Sequence, residues 1–408
     1  MSSAAAETTD AAAGTESAAS TEPTDATEVT SADSGASAPA EGEPIKIGWS
    51  NVDEGPSAFP GYTEGARIAV EYINNELGGV DGRPLELVTC SQIGDEASAT
   101  QCGQEFANDD SLVALVTGLL FFGGQFYGAT SSQGRVVIGT VPLTEGDYGA
   151  TGVRFWGSGS VGQLGAEAIF AAENLGAKKI GIVYRDEPAG QAGADLVKGI
   201  LANTEAEVVA VPVAMGASDY APALTAAGDV DALILVTDTT GCIGVANALE
   251  QLGQDPEIVG SASCQDPSGL EAVGDKMEGW YFGEAGPTPL LGEGVNDDVD
   301  AYLQAIDTYG NGTLESPVDD FAYWAFGYVL AIRSLMEEIG VDNLSPETFD
   351  AAIDTFGGPV PLGATNISCP GKTQPNVCTS DGWIFQFQDS KAVTVMDEPI
   401  VVDDFTGS

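Results

Sequence analysis

Short apolar runs alternate with helical patterns along the chain from residue 45 onwards. The run at 45–50 is followed by 64–77, in which apolar residues recur three and four positions apart on one helix face. Gly78-Gly79 ends the helical pattern, and a second apolar run follows at 84–89. This strand, helix, strand order predicts parallel strands covered by helices.

The same alternation predicts the remaining elements. Further strands are predicted at 112–117, 136–139, 179–184, 208–213, 232–236, 258–260, 383–388 and 392–396. Further helices are predicted at 98–108, 125–133, 161–175, 190–202, 242–252, 297–309, 321–339 and 346–356. The alternation of predicted strands and helices begins again near residue 161. We therefore predict an α/β fold with two lobes, each built on a doubly wound parallel sheet. The Gly- and Pro-rich stretch 283–293 is predicted to cross between the lobes and not to form a strand.

The order of the elements also predicts the lobe boundaries. The helices after residue 296 are expected to return to the first lobe, and the last strands are expected to finish on the second. The first lobe is therefore predicted to comprise 44–157 and 287–357, and the second 158–286 and 358–408. Residues 1–43 consist almost only of Ala, Ser, Thr, Glu, Asp, Gly and Pro, so we expect a disordered acidic tether there.

The charge balance narrows the functions that the chain can have. With 13 Lys and Arg against 62 Asp and Glu, the formal net charge is −49, which repels phosphate backbones and argues against nucleic-acid binding. The chain has no histidine, which is the usual general base and the commonest metal ligand. No glycine-rich phosphate-binding motif follows a predicted strand. We therefore expect no catalytic residue, no metal and no cofactor.

Six cysteines form three close couples along the sequence. No C-x-x-C motif occurs, so the spacing of zinc ribbons and thioredoxins is missing. Three local disulfides are the better interpretation, and they indicate an oxidising compartment outside the cytoplasm. Free thiols and other connectivities remain alternatives. The predicted pairs are Cys90 with Cys102, Cys242 with Cys264 and Cys369 with Cys378.

The loops that follow the predicted strands carry the candidate ligand-binding residues, because ligands of open parallel sheets bind beyond the carboxyl ends of the strands. An amino acid needs hydroxyls or N–H groups for its carboxylate, an acid for its ammonium group and apolar walls for its side chain. An Asp after a strand is more often a helix cap than a ligand contact, and each aromatic residue is also a candidate core or hinge residue. The candidates are Thr144 for the carboxylate, Asp186, Asp238 and Asp266 for the ammonium group, and Trp49, Phe59, Phe121, Phe122 and Tyr148 for the walls.

Several segments resemble the branched-chain amino-acid (Leu/Ile/Val) binding proteins of ABC importers. The opening segment, up to residue 87, is the most specific, and the resemblance covers about residue 44 to the C-terminus. The segments are Ile45-Lys46-Ile47-Gly48, Gly65-Ala66 at the start of the helix that runs to Asn74, Gly78-Gly79-Val80-Asp81-Gly82-Arg83-Pro84-Leu85-Glu86-Leu87, Gly181-Ile182-Val183-Tyr184, and Glu278-Gly279 before Trp280-Tyr281-Phe282.

The resemblance implies a type I periplasmic-binding fold, in which three crossing segments join two lobes around a ligand cleft. In that family a serine after the third strand, and a backbone N–H and a threonine after the fourth, bind the ligand carboxylate. Thr144, with Pro142 nearby, matches the threonine, whereas Phe121 and Phe122 lie where the serine is expected. This departure argues against a standard carboxylate clamp and favours a bulkier or less polar ligand. The remaining matches are Asp266 for the ammonium-binding acid, and Phe59 and Phe321 for aromatic wall positions.

The resemblance further implies a solute-binding protein that delivers an amino acid or a related small polar molecule to the membrane permease subunits of an ABC importer. We expect a monomer in an extracytoplasmic location, at the cell surface or in the periplasm. The acidic tail is similar to those that follow the lipidated cysteine of lipoproteins, so we expect a lipid anchor upstream of residue 1 as the sole membrane contact. Two alternatives stay open: a ligand-binding sensor module of the same fold, and a hydrolase that uses two carboxylates.

Overall fold

The computed structural model describes residues 38–406, and the tether predicted for 1–43 lies almost entirely outside this part of the chain. The strands are β1 (Ile45–Val52), β2 (Leu85–Gln92), β3 (Leu112–Thr117), β4 (Val137–Gly139), β5 (Val153–Phe155), β6 (Lys179–Arg185), β7 (Glu207–Val213), β8 (Ala232–Val236), β9 (Glu257–Ser261), β10 (Tyr281–Glu284), β11 (Asp381–Gln388), β12 (Lys391–Thr394) and β13 (Ile400–Val401). The helices are α1 (Pro60–Asn75), α2 (Glu96–Ala107), α3 (Gly123–Ser131), α4 (Glu145–Tyr148), α5 (Gly159–Ile169), α6 (Pro188–Leu201), α7 (Ala221–Ala227), α8 (Thr239–Leu252), α9 (Pro267–Val273), α10 (Asp297–Tyr309), α11 (Ala322–Ile339), α12 (Pro346–Ala352) and α13 (Val402–Thr406).

The first sheet consists of five parallel strands in the order β2-β1-β3-β4-β5. β1 lies inside the sheet, paired with β2 and β3, and Ile45, Ile47 and Trp49 on one of its faces are all buried. β2 pairs with one edge of β1, and β3, which follows β2 in sequence, pairs with the other edge of β1. A crevice therefore opens between the carboxyl ends of β1 and β3.

The second sheet has the order β12-β11-β10-β9-β8-β6-β7, with β13 paired to β11. Strands β6 to β10 are parallel, whereas β11 runs antiparallel to β10 and β12 antiparallel to β11. Asp389 and Ser390 have φ of 51° and 63°, the left-handed conformation of a tight hairpin turn, and reverse the chain between β11 and β12. The sheet is therefore parallel in its body and antiparallel at one edge, and its own crevice lies between β6 and β8.

Helices α10 to α12 pack against the first sheet although they follow the second sheet in sequence. Tyr302, Phe326 and Phe349 share one buried core with Ile47 of β1. Ile384 of β11, further along the chain, belongs to a core of the second sheet. The chain thus passes from one sheet to the other and back, while the residue boundaries of the two lobes stay a prediction.

Segment 283–293 was predicted to cross between lobes without forming a strand, and its first residues correct that prediction. Gly283 and Glu284 belong to β10, and Gly283 pairs with Ile384 of β11. A Cβ atom on Gly283 would lie 2.4 Å from Oε1 of Glu167, so the glycine makes room for that carboxyl group against the strand. Only the later residues cross, with a single 3-10 turn at Pro289–Leu291.

Several short strands and helices lie where the sequence predicted no regular element. Strand β5, strand β13 and helices α4, α7, α9 and α13 were not predicted, and each is seven residues or shorter. Such segments are too short to show a hydrophobic period. Conversely, the predicted helix 161–175 is α5 continued by the π-helical turn Phe170–Asn174.

Three disulfides join the pairs that the sequence spacing predicted. The bond between Cys242 and Cys264 ties the first turns of α8 to the loop after β9, and both sulfurs lie in the second-sheet core. The other two bonds join Cys90 to Cys102 and Cys369 to Cys378. None of the helices between residues 38 and 406 is both long and apolar enough to span a bilayer.

Candidate ligand-binding cleft

The carboxyl ends of strands from both sheets border one cleft. Its larger part, about 800 Å³, lies between the loop after β4 and the ends of β6 and β8. Its smaller part, about 180 Å³, lies between the loops after β8 and β9, the end of β10 and the start of α11. The two parts share Asp238 and Ser263, so they form one continuous space.

Side chains at the crevices of both sheets hold the loops that line the cleft. At the end of β1, the amide of Asn51 accepts a hydrogen bond from the Leu119 N–H (2.8 Å) and donates one to the Phe59 carbonyl (2.8 Å). At the end of β6, the Arg185 guanidinium forms ion pairs with Asp238 and with Glu187. The one positive charge at this point of the cleft is therefore balanced by two carboxylates.

Two of the three candidate acids line the cleft, and both are also helix caps. Asp238 accepts from the Gly241 N–H (3.0 Å) at the start of α8, and Asp266 accepts from the Ser268 N–H (2.9 Å) at the start of α9. Both side chains line the smaller part of the cleft, so the capping and binding interpretations are compatible. Asp186 is exposed beside the cleft and lines neither part.

Most of the candidate aromatic residues border the cleft or an opening beside it. Phe59 and Phe321 line the smaller part, and the ring centroids of Phe59 and Phe121 are 6.2 Å apart. Phe121 and Phe122 border an adjoining opening, where Phe122 remains 38 % exposed. Tyr148 lines the larger part, and burial raises its pKa to about 12.

Trp49 and Pro142 are placed in the interior and not in the wall of the cleft. The Trp49 ring is fully buried, stacks on Tyr62 and donates from Nε1 to the Thr63 hydroxyl (3.0 Å). Trp49 belongs to β1, a strand paired on both sides, and its ring is part of the first-sheet core. Pro142 is buried against Gly159, whose φ of 57° and close approach leave no room for a side chain. Sequence alone could not separate these residues from wall residues, because both kinds are apolar.

The candidate carboxylate donor Thr144 is engaged within its own loop. It caps α4 in a capping box with Asp147. Oδ2 of Asp147 accepts from the N–H groups of Leu143 (3.0 Å) and Thr144 (2.7 Å) and from the Thr144 hydroxyl (3.0 Å). Burial raises the pKa of Asp147, partly offset by these bonds.

A buried polar group that the sequence analysis missed forms the floor of the smaller part. Oε1 of Glu284 accepts from the Gln265 amide (2.8 Å), and Oε2 accepts from the Tyr323 hydroxyl (2.9 Å). Burial raises the pKa of Glu284 to about 8. Glu167 is also fully buried, and burial together with the charge of Glu284 raises its pKa well above the ordinary value. The one sequence signal for Glu284 is its position as a lone acid in the otherwise uncharged stretch 279–292.

Asp320 is a second cleft residue that the sequence analysis missed. It has a φ of 46°, and its carboxylate accepts a hydrogen bond from the Gly61 N–H (2.8 Å) at the start of α1. Its pKa is raised first by burial and further by the charges of Asp319 and Asp266, against the effect of the Gly61 bond. Asp320 and Asp266 thus present like charges to each other within the cleft.

Two sheets whose strand ends face one shared cleft define a two-lobed protein of the type I periplasmic-binding fold. The family comparison agrees: the sequence profile of the periplasmic binding proteins matches residues 44–392. The chain therefore belongs to the periplasmic binding protein family, whose members bind solutes outside the cytoplasm, and the family resemblance drawn from its sequence is confirmed.

Solved structures with the same fold have distant sequences. A branched-chain amino acid ABC transporter protein from Thermus thermophilus with bound valine has a TM-score of 0.69 and 16% identity, covering 90% of this chain and 99% of that one. The branched-chain amino acid substrate-binding protein LivJ from Streptococcus pneumoniae, in complex with isoleucine, has a TM-score of 0.66 and 18% identity, covering 88% and 100%. A fatty acid ABC transporter substrate-binding protein from Thermomonospora curvata has a TM-score of 0.69 and 18% identity, covering 91% and 96%. No curated protein matches the chain.

Proposed function

We propose that this protein is the solute-binding subunit of an ABC importer and that it binds an amino acid or a related small polar molecule. The observation that carries the proposal is a cleft bordered by strand ends of both sheets in a chain of the periplasmic binding protein family. Structural relatives that hold valine and isoleucine support it. The fatty acid relative shows that the same fold also serves quite different ligands.

The protein delivers its ligand to membrane permease subunits and catalyses no reaction itself. It works as a monomer whose lobes, 44–157 with 287–357 and 158–286 with 358–408, close around the ligand. A lipid anchor upstream of residue 1 holds it at the outer face of the membrane, and the segment 1–43 acts as the tether. Export of the chain is supported by its three disulfides, which form and persist in oxidising compartments.

Ligand-induced closure provides the test. The full chain is mixed with a panel of amino acids, amides, amines, short peptides and small carboxylates, and both the radius of gyration in solution and the melting temperature are measured. A ligand that binds only the folded protein adds about 2.7 kcal/mol of stability at a hundredfold excess over its dissociation constant. We expect at least one compound to raise the melting temperature and to reduce the radius of gyration. A panel without any such compound contradicts the proposal.

A matched pair of variants places the binding site. Ser263 lies where the two parts of the cleft meet, so Ser263→Trp fills the space that the ligand needs. Ser334 is exposed on α11, and Ser334→Trp adds the same ring outside the cleft. We expect the first variant to lose the ligand-induced stabilisation and compaction, and the second to retain both.

A further inference from the structure

The donors that the family resemblance assigns to a ligand carboxylate are already bonded within this protein. The N–H groups of Leu143 and Thr144 and the Thr144 hydroxyl all donate to one oxygen of Asp147, at 3.0, 2.7 and 3.0 Å. Asp147 is only 1% exposed. A ligand carboxylate at this point would find these three donors occupied, and it would lie beside an acidic side chain of the protein.

The side-chain donors in the smaller part of the cleft are almost all occupied as well. The Thr239 hydroxyl donates to the Ser263 carbonyl (2.9 Å), the Tyr323 hydroxyl to Glu284 (2.9 Å), and the Gln265 amide to Glu284 (2.8 Å). Among the residues that line this part, the Ser263 hydroxyl is the one side-chain donor without such a bond. The lining therefore offers a ligand mainly acceptors.

The charges of the lining are all negative. The carboxylates of Asp238, Asp266 and Asp320 line the smaller part beside the protonated carboxyl group of Glu284, and none of the lining residues is Lys or Arg. Arg185 in the larger part is paired with Asp238 and Glu187. Asp266 comes from the second-sheet side and Asp320 from the segment before α11, so a cation between them relieves their mutual repulsion across the cleft.

Two further features of this space point to a positively charged, donor-rich ligand. Oε1 of Gln265 has no hydrogen-bond partner although the residue is 2% exposed and lines the cleft. A buried acceptor of this kind needs a donor, and a bound ligand can supply one. The rings of Phe59 and Phe321 form walls on the same space, and aromatic faces attract organic cations.

We infer that the smaller part of the cleft selects an organic ammonium ion that carries no carboxylate. The ammonium group lies between Asp266 and Asp320 and donates to Gln265, while its carbon skeleton packs on Phe59 and Phe321. This inference rests on the proposed function and refines it: the importer would take up amines and not zwitterionic amino acids. The overall charge of −49 concentrates such cations near the protein and disfavours anions.

The test compares probes of one shape and different charge by isothermal titration calorimetry on the full chain. Isopentylamine is a cation, leucine is its zwitterionic counterpart with a carboxylate, and 4-methylpentanoate is an anion of similar shape. Choline and its neutral isostere 3,3-dimethylbutan-1-ol form a second set, and putrescine adds a second ammonium group. We expect at least one cation to bind at least about tenfold more tightly than its zwitterionic or neutral counterpart, as for a charge-assisted contact. Tighter binding of leucine, 4-methylpentanoate or the neutral alcohol overturns the inference and leaves the proposed function standing.

Two substitutions test the two acids without removing their structural roles. Asn at position 266 can still cap α9, and Asn at position 320 tolerates the positive φ and can still accept from Gly61. We expect Asp266→Asn and Asp320→Asn each to weaken binding of the best cation at least about tenfold. The control Asp307→Asn removes one charge from an exposed site on α10 and should change binding less than about twofold, since exposed charges contribute little.

The outcomes separate this inference from the proposed function. If a cation binds but both Asn variants bind it as the wild type does, the assignment of the ammonium site is wrong, although import of a solute remains supported. If no probe of any charge binds here and no compound of the wider panel compacts the protein, the proposed function fails and the inference fails with it.

Discussion

Single residues at the floor of the cleft carry the most unusual electrostatics in this protein. Glu284 and Glu167 are both buried carboxyl groups, and neither has a basic partner in its hydrogen bonds. Glu284 contacts Gln265 after β9 and Tyr323 of α11, so it bonds to elements that pack on different sheets. The two carboxyl groups are stable in the interior when they are neutral, because burial penalises their charged form.

The stability of the protein should therefore fall as the pH rises toward 8. The folded-state pKa of Glu284, about 8, lies above its ordinary value of 4.5, so the folded protein holds a proton that the unfolded chain releases in this range. Its contribution is fully present below pH 4.5 and is lost as the pH rises through the folded-state pKa, at a slope of up to about 1.4 kcal/mol per pH unit.

The Glu284→Gln variant isolates this effect. We expect its free energy of unfolding, measured by denaturant titration between pH 5 and 8, to decline less steeply than that of the wild type. Glu167 remains in the variant, and loss of the Glu284 charge lowers the pKa of Glu167, which changes the slope in the same direction. The control Glu338→Gln changes an exposed residue of α11 and should keep the wild-type slope. Equal slopes for wild type and Glu284→Gln would refute a buried, proton-holding carboxyl.

At the scale of elements, the close contact between α1 and α11 fixes how the late helices attach to the first sheet. Gly65 of α1 faces the backbone of α11: a Cβ atom there would lie 2.0 Å from the Ala322 carbonyl oxygen. Tyr62 and Ile73 of α1 share a core with Phe326 and Ile332 of α11. The glycine allows this approach, and the apolar faces of both helices stabilise it.

Substituting this glycine should destabilise the protein by separating the two helices. We expect Gly65→Ala to lower the free energy of unfolding by about 1 to 3 kcal/mol, the range for overpacking, because the neighbouring atom is backbone and cannot turn away. Gly128 of α3 is the control: its Cβ would meet no atom within 4 Å. Gly128→Ala should stabilise the protein by about 0.5 to 1 kcal/mol, since alanine favours the helix. Similar effects of the two substitutions in thermal unfolding would contradict the close packing at Gly65.

At the scale of the whole molecule, charge repulsion opposes the folded state. The formal net charge of −49 is spread over a chain with only 13 basic residues, and several of these already pair with acids. Like charges on a compact surface repel one another over a distance that dissolved salt shortens, from about 30 Å at 0.01 M to about 8 Å at 0.15 M.

Added salt should therefore stabilise the protein at neutral pH. We expect the melting temperature to rise between 0.01 and 0.15 M NaCl, by about 2 to 4 °C for each kcal/mol of repulsion that is screened. The same series near pH 4.1, the isoelectric point of the sequence, serves as the control, because little net charge is left to screen there. A melting temperature that is independent of salt at neutral pH would show that the acids are too far apart to matter.

Local patterns in the amino-acid sequence are enough to specify the long elements, the disulfide pairs and the family. Strands β3 and β8 and helix α10 begin and end at the predicted residues, because a hydrophobic period and its terminal residues are local properties of the chain. The short couples of cysteines and the acidic caps Asp238 and Asp266 were likewise visible within a few residues. These features need no knowledge of what lies across the fold.

Which of those residues meet in the cleft depends on how the sheets and helices pack. Trp49 and Phe59 are both apolar residues near β1, yet one lies in the core and the other in the wall. Glu284 meets Tyr323 across 39 positions of sequence, and Asp147 occupies the donors that Thr144 was expected to offer a ligand. Such contacts depend on the packing of whole sheets and helices, which no local pattern of apolar and polar residues encodes.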